Sequence, residues 1–438
     1  MSTRAWFGIG AVFAGLLVTA APAEAVPLSD ELPISEFDNE QYSPAIAYAA
    51  TRHEYLVVWE NLWPGGGHDV SARRVRENGT LLGSFSITIG GNKSVEPAVA
   101  YDPLRDRYLV VWGQDYYGNG SDWDVYGAFV PRSGPPSGLP ASFPITSRTT
   151  NQFHPEVVYS SGADEYLVVW ADASTSATRE IRARRVEADG SGFPAADFSV
   201  SSGAYDRDFP ALAYNAARNQ YLVTWDQTSA STGVDVRAQI LAADGTPQKE
   251  FGIAIATEAE HEERPAAAAC SAADAYLVAF QRQYPATKYD LYARFVSGDG
   301  TPGAAPLIDS TTGDQINAAV ACDPAGLGFL VAWQDEYAGG RTGVWAREVA
   351  ANGAMNDAFG LIGPGSESDR EFPAVAGGAE SILVAWEHER EGTSFQDVHG
   401  RLVWPAPEPG GAAFAAFAGL AALARRRARS DASTRRRG

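Results

Sequence analysis

The apolar positions of this chain gather into one short run that keeps returning. It first stands at Tyr55-Leu56-Val57-Val58-Trp59 and recurs at residues 108–112, 166–170, 221–225, 276–280, 329–333 and 382–386, with 53 to 58 residues between successive closing aromatic residues. Five-residue runs rich in β-branched and aromatic side chains predict strands rather than helices. Alternate residues of a strand face opposite sides, and here both sides are apolar, so each run is expected to be covered on both faces.

Three further parts accompany each run in fixed order. A small-residue segment precedes it, Pro44–Tyr48 in the first copy and 97–101, 155–159, 210–214, 265–269, 317–321 and 373–377 in the others. A segment opened by an acidic residue follows, at Asp69, Asp124, Glu180, Asp235, Asp290 and Asp397, with Gly343 in the sixth copy. Asn-Gly or Asp-Gly pairs such as Asn78-Gly79 and Asp189-Gly190 then mark tight turns, and a last short segment such as Phe143–Thr146 or Phe198–Ser201 completes the unit. Four antiparallel strands per unit, repeated seven times, predict an all-β fold, a seven-bladed β-propeller over residues 30–403. Ala-rich first strands suit the crowded position beside a central axis.

The seventh copy stops after its third strand at Val403. Its missing fourth strand is expected at the other end of the domain, in Leu32-Pro33-Ile34-Ser35, so that an N-terminal strand closes the ring. The aspartates that open the third strands recur too often to be catalytic, and they read as turn caps or partners of nearby arginines. Repeats of this YLVVW form resemble those of many exported bacterial proteins of unassigned activity. The resemblance spans residues 30–403; it implies the fold and little about function.

The two ends carry a different pattern. Arg4, an apolar run from Ala5 to Ala21 and the small-residue site Ala23-Glu24-Ala25 read as a secretory signal peptide over residues 1–25. At the other end a Pro-rich linker, 404–409, contains Pro407-Glu408-Pro409, and residues 410–438 hold a short Ala/Gly/Phe stretch followed by Arg425, Arg426, Arg427 and Arg429. That order resembles the PEP-CTERM sorting signal of Gram-negative bacteria. The resemblance implies processing by an exosortase, a sorting protease at the inner membrane, and delivery to the cell surface or extracellular matrix. In physical terms the arginines resist translocation while the apolar stretch holds the chain transiently at the membrane.

Charge narrows the partners. The chain has 34 basic and 54 acidic residues, a net charge of −20, and without residues 1–25 and 410–438 the balance is 26 against 52. Such a surface repels nucleic acid and anionic membranes. The propeller itself is expected to be monomeric. Cys270 and Cys322 are too few for a disulfide scaffold, but they lie near the ends of the first strands of the fifth and sixth units. An oxidising compartment would permit a bridge there; two small buried thiols are the alternative.

Candidate chemistry falls on the loops between second and third strands, which a propeller gathers on one face. They carry Trp63, Tyr116, Tyr117, Trp123, Tyr284 and Tyr337 beside Asp115, Asp122 and Asp335. Aromatic faces stack on sugar rings and carboxylates accept hydrogen bonds from hydroxyls, so these residues form the expected binding set for extracellular polysaccharide, with a protein partner as the alternative. Acidic blade-to-blade connections, including Glu96, Asp206, Asp208, Glu258, Glu262, Asp314 and Asp369, could converge on Ca²⁺, and Asp115–Asp124 comes nearest to a ligand loop without having EF-hand spacing. No other cofactor is expected. The six histidines show no metal-ligand spacing such as H-E-x-x-H, and no G-x-S-x-G elbow, C-x-x-C or Asp-box pattern occurs. The expected function is therefore a non-catalytic exported binding or scaffold module. Its rival is a glycosidase or lyase that uses paired carboxylates on the same face.

Overall fold

A computed structural model of the protein describes residues 26–405 apart from 36, 91–92, 116–117, 119, 121, 136–137, 174–177, 202, 230–232, 251, 285–287, 338–339, 363–368, 391–392 and 394. The expected signal peptide and the sorting residues Pro407, Glu408, Pro409, Arg425, Arg426 and Arg427 lie outside the described residues. Within Pro27–Pro405 the strands form five four-stranded antiparallel sheets and one eight-stranded sheet. The eight-stranded sheet is two four-stranded meanders joined at a single parallel contact between His68 and Lys93. Seven meanders therefore follow one another, and the chain is a β-propeller.

Blade one shows how the residues build the unit. Its strands are Glu40–Ala49, Glu54–Leu62, His68–Arg76 and Leu81–Ser86. The run Tyr55–Trp59 is fully buried, with Leu56 and Val58 packed among residues of blade two such as Val99 and Tyr108. Tyr55, Val57 and Trp59 pack on the opposite side against Leu383, Ala385 and Val398 of blade seven. The doubly apolar strand is thus covered by two different neighbours, each burial removing apolar surface from water. First strands contact one another in sequence, and Arg370–Gly377 of the last blade packs on Glu40–Ala49 of the first, which closes the circle. Gly79 in the Asn-Gly turn sits at φ 81°, a left-handed conformation open to glycine at little steric cost.

The closing strand spans Leu32–Ser35 and pairs antiparallel with Gln396–Val403, with Leu32 opposite Gly400 and Pro33 opposite His399. Ile34 is completely buried. Arg73 of blade one donates from Nη1 to the Ile34 carbonyl at 3.0 Å, just as Arg184 of blade three donates to the carbonyl of Ile145 from blade two at 2.6 Å. The borrowed strand is held as a blade's own fourth strand is held.

One feature of the first strands departs from the expected pattern. They start several residues before the Pro-led segment, and each is broken by a bulge at a residue with positive φ: Ser43, Glu96, His154, Phe209, Arg264, Asn317 and Phe372, all between 46° and 55°. The ladder register places Asn317 at the position of Ser43, so Ala318 stands where five other blades have the proline after this bulge and Pro44 stands in blade one. The same one-residue correction sets the cysteines. Cys322 occupies the place of Tyr48 and Cys270 the place of Ala49, and their sulfurs are bonded with the Cα atoms 5.2 Å apart. Reduction is expected to lower the unfolding free energy by about 2–4 kcal/mol, seen as a lower urea midpoint.

Candidate functional site

The bulges place seven side chains in a ring about the axis, and four of their backbone amides are capped in the same way from the neighbouring blade. The residue after the closing aromatic of one blade accepts the bulge N–H of the next: Glu387 takes Ser43 at 2.8 Å, Glu60 takes Glu96 at 3.2 Å, Asp226 takes Arg264 at 2.9 Å and Gln281 takes Asn317 at 3.1 Å. A cap of this kind satisfies an amide that the bulge removes from the ladder. Blade two has Gly113 at the capping position, and the His154 amide turns instead to Glu96 at 3.2 Å.

The missing side chain opens the wall of a cavity of about 680 Å³. Tyr42, Trp123, Phe153 and Phe372 line it together with Glu60, Glu96, Glu371 and Glu387. Burial, with the negative charges of Glu371 and Glu60, pushes Glu387 up to about 8 against the pull of the Ser43 amide. Burial and the neighbouring carboxylates Asp369 and Glu389 also raise Glu371.

Blades two to five add a line of contacts along the ring. Glu96 lies 3.1 Å from His154 Nδ1, and Asp208 is 3.6 Å from His154 Nε2. The imidazole stacks on Phe209 with centroids 4.3 Å apart, and the Arg264 guanidinium covers that ring at 3.8 Å. Burial disfavours the imidazolium, but the hydrogen bond and charge of Glu96, with Asp208, outweigh it and raise His154; Glu96 is lowered in turn. One layer further along the first strands, six blades carry alanine: Ala45, Ala98, Ala211, Ala266, Ala319 and Ala374. Blade three carries Glu156. Its carboxyl has no hydrogen bond or ion pair among the described residues, and burial, with the charge of Glu96, pushes it up to about 7 in spite of His154. A protonated carboxyl beside a charged imidazole can donate hydrogen bonds or a proton to a hydroxyl-bearing ligand.

The loop residues expected from sequence that are described stand in several different surroundings. Trp123 lines the cavity, and Trp63 is 46% exposed at a loop tip. Asp115 is fully buried and accepts the Gly120 amide at 2.7 Å. Asp335 is buried and accepts from Gln315 at 2.8 Å and Thr311 at 2.9 Å. Tyr284 bonds Tyr292 at 2.7 Å, and the Tyr337 hydroxyl accepts from Trp345 Nε1. Asp122 is half-buried and reinforces the burial that pushes Asp124 up to about 6. Tyr116 and Tyr117 lie outside the described residues, as do Asn119 and Ser121 of the loop considered for Ca²⁺.

Several connecting acids are taken up within the protein. Arg179 holds Asp206 at 2.8 Å and Asp208 more closely still, and Arg282 holds Glu258 at 2.8 Å and Glu262 at 3.0 Å. Among the described residues one group, Glu31, His388 and His399, has three donor atoms close enough to share a metal ion. Sequence reasoning passed over Glu156 and His154. The usable signal was the departure of Glu156 from the alanine of its repeat.

No family model and no curated protein sequence matches this chain. Among solved structures it is similar to a protein of unknown function from Dyadobacter fermentans, 12% identical over 87% of this chain and 99% of that one, with a TM-score of 0.54. It is also similar to the polysaccharide lyase Uly1, 9% identical over 86% and 99% of the two chains, with a TM-score of 0.53. The β-propeller domain of the trilobed protease from Pyrococcus furiosus is 9% identical over 84% and 96%, with a TM-score of 0.48. At these identities the likeness is one of fold.

Proposed function

We propose that the protein is an exported, surface-sorted binding module that takes a polysaccharide segment into the axial cavity. The observation that carries this reading is the cavity's lining, in which Tyr42, Trp123, Phe153 and Phe372 stand among four carboxyl groups. Aromatic rings supply stacking faces for sugars, and a mixture of neutral and ionised carboxyls supplies both donors and acceptors for hydroxyls. The expected signal peptide and sorting tail would place the module at the surface of a Gram-negative cell, where such polymers are at hand. A fold of this kind also serves a polysaccharide lyase.

The test is binding and turnover on extracted matrix polysaccharides and a glycan array. A Cβ added at Gly113 would make only ordinary contacts, 3.5 Å from Val95 Cγ2, so Gly113→Gln can adopt the cap that Gln281 provides in blade five and fill the open wall. Its affinity is expected to fall roughly tenfold or more with the melting temperature unchanged. Unaltered binding by both Gly113→Gln and Trp123→Ala would place the ligand elsewhere. A second reading, a polysaccharide-active enzyme, is favoured by Glu156 beside His154. Release of product that disappears in Glu156→Gln would replace the binding-only reading with that one.

A further inference from the structure

The closing blade carries a second group of side chains with chemistry of its own. Glu31 lies directly before the closing strand, His399 is on the third strand Gln396–Val403, and His388 is on the second strand Ile382–Glu389. His388 pairs across the ladder with Asp397, two residues before His399, so the two histidines are diagonal neighbours on one face. Both Nδ1 atoms converge on one oxygen: Glu31 Oε1 is 2.8 Å from His399 Nδ1 and 3.4 Å from His388 Nδ1. The His388 Nδ1 atom is buried, and its approach to Glu31 is too long and poorly aligned for a good hydrogen bond. The three donor atoms lie within 4.8 Å of one another.

The repeat shows what the other blades do at these places. The position of His399 holds Arg182 in blade three, and Arg182 pairs at 3.0 Å with Asp197, the residue directly before that blade's own fourth strand. The position of His388 holds Asn61, Gln114, Asp172, Gln227, Arg282 or Asp335. Where blade three has a permanent ion pair, blade seven has an imidazole and a carboxylate, and it has brought up a second imidazole whose inner nitrogen shares the same carboxylate oxygen only at 3.4 Å. A buried nitrogen held only by such a weak contact is poorly compensated unless something else coordinates it.

We infer that Glu31, His388 and His399 form a binding site for a divalent transition-metal cation, zinc or a close relative, which ties the N-terminal strand to the last blade. Two imidazole nitrogens and one carboxylate oxygen, with a water as fourth ligand, are a donor set for zinc at 2.0–2.2 Å, whereas Ca²⁺ takes six to eight oxygens. The surroundings sharpen the choice. Arg370 on the first strand stands opposite His388, and Asp397 is neutralised by Arg390 at 2.7 Å and 3.0 Å. A nearby guanidinium opposes an ion held by charge alone and leaves coordination by nitrogen as the binding force. The rings stack 4.1 Å apart at 11°, and they must fan open for both Nδ1 lone pairs to reach one ion.

The experiment titrates the metal-free secreted domain with zinc chloride alone, by calorimetry and by melting. One equivalent of zinc is expected to bind and to raise the melting temperature, while calcium at the same concentration does neither. His399→Arg restores the ion pair of blade three, so this variant should melt like the metal-free protein yet bind zinc at least tenfold more weakly; His388→Asn, which takes its residue from blade one, should do the same. The assignment is overturned if zinc fails to bind at about 100 times the concentration that saturates comparable three-ligand sites, or if the two variants together bind it as well as the original chain.

Discussion

Deleting residues 27–35 should turn one sharp unfolding transition into a broad one at lower temperature, because those residues complete a blade at the far end of the chain. Ile34 is fully buried among Tyr55, Trp59 and Leu402, at the junction of blades seven and one. Further ties run alongside: Ser29 donates its amide to the Leu402 carbonyl at 2.9 Å, and the Trp404 amide donates to the Pro27 carbonyl at 3.1 Å. Without the strand, Gln396–Val403 becomes an open edge, and the core face of Val398 and Leu402 is wetted. The single substitution Ile34→Ala is the milder version and should cost about 2–4 kcal/mol. Urea denaturation followed by tryptophan fluorescence reads both variants, with a reduced m-value in the deletion as the sign of lost cooperativity. A deletion variant that melts once, at the original midpoint, would mean that the ring does not depend on this closure.

That closing strand was legible in the text because it is an incomplete repeat, and an incomplete repeat states what is missing. Leu32–Ser35 could be matched to Phe143–Thr146 by composition alone. The bulges were not legible in the same way. The left-handed bulge residue has no fixed identity here, since Ser43, Glu96, His154, Phe209, Arg264, Asn317 and Phe372 share only a backbone conformation. Reading through the bulge without seeing it shifted the sixth blade by one residue, and with it the spacing of Cys270 and Cys322.

Two of the candidate loop acids were misjudged in exposure for a related reason. Asp115 and Asp335 look like exposed loop acids in sequence, yet the strands extend far enough to draw both inside. What the repeat could have shown is its exceptions. Six alanines and one glutamate at a single axial position mark Glu156, and the lone glycine at the capping position marks the open wall at Gly113. The Glu31, His388 and His399 group lay beyond any reading of spacing, because it needs the ladder register of two strands and the meeting of the domain's two ends.

Raising the pH from about 5 to about 9 should weaken the fold, with Glu387 a large contributor and the buried Asp226 acting in the same direction. Its carboxyl is pushed up to about 8, above the 4.5 of an ordinary glutamate, by burial first and then by the charges of Glu371 and Glu60. A group whose folded pKa lies above its unfolded one contributes stability that is complete below the unfolded value and is lost as the pH rises through the folded value. Glu156, pushed up to about 7, and the raised His154 act in the same direction. The lowered Glu96 acts in the opposite sense and is felt only at more acid pH.

At 1.36 kcal/mol per unit, the Glu387 shift corresponds to on the order of 4 kcal/mol between the two ends of this window. The repeat supplies the control. Gln281 already caps the Asn317 amide in blade five, so Glu387→Gln should keep the bond to the Ser43 amide without any charge to bury. The variant should match the original chain near pH 5 and be the more stable of the two near pH 9, with a melting temperature that falls less between them because Glu156 and His154 still titrate. Equal slopes against pH in the two proteins would show that Glu387 is ionised without penalty. The pH dependence would then fall to the other raised groups, and Glu156→Gln, which leaves the caps of the ring in place, separates the share of Glu156.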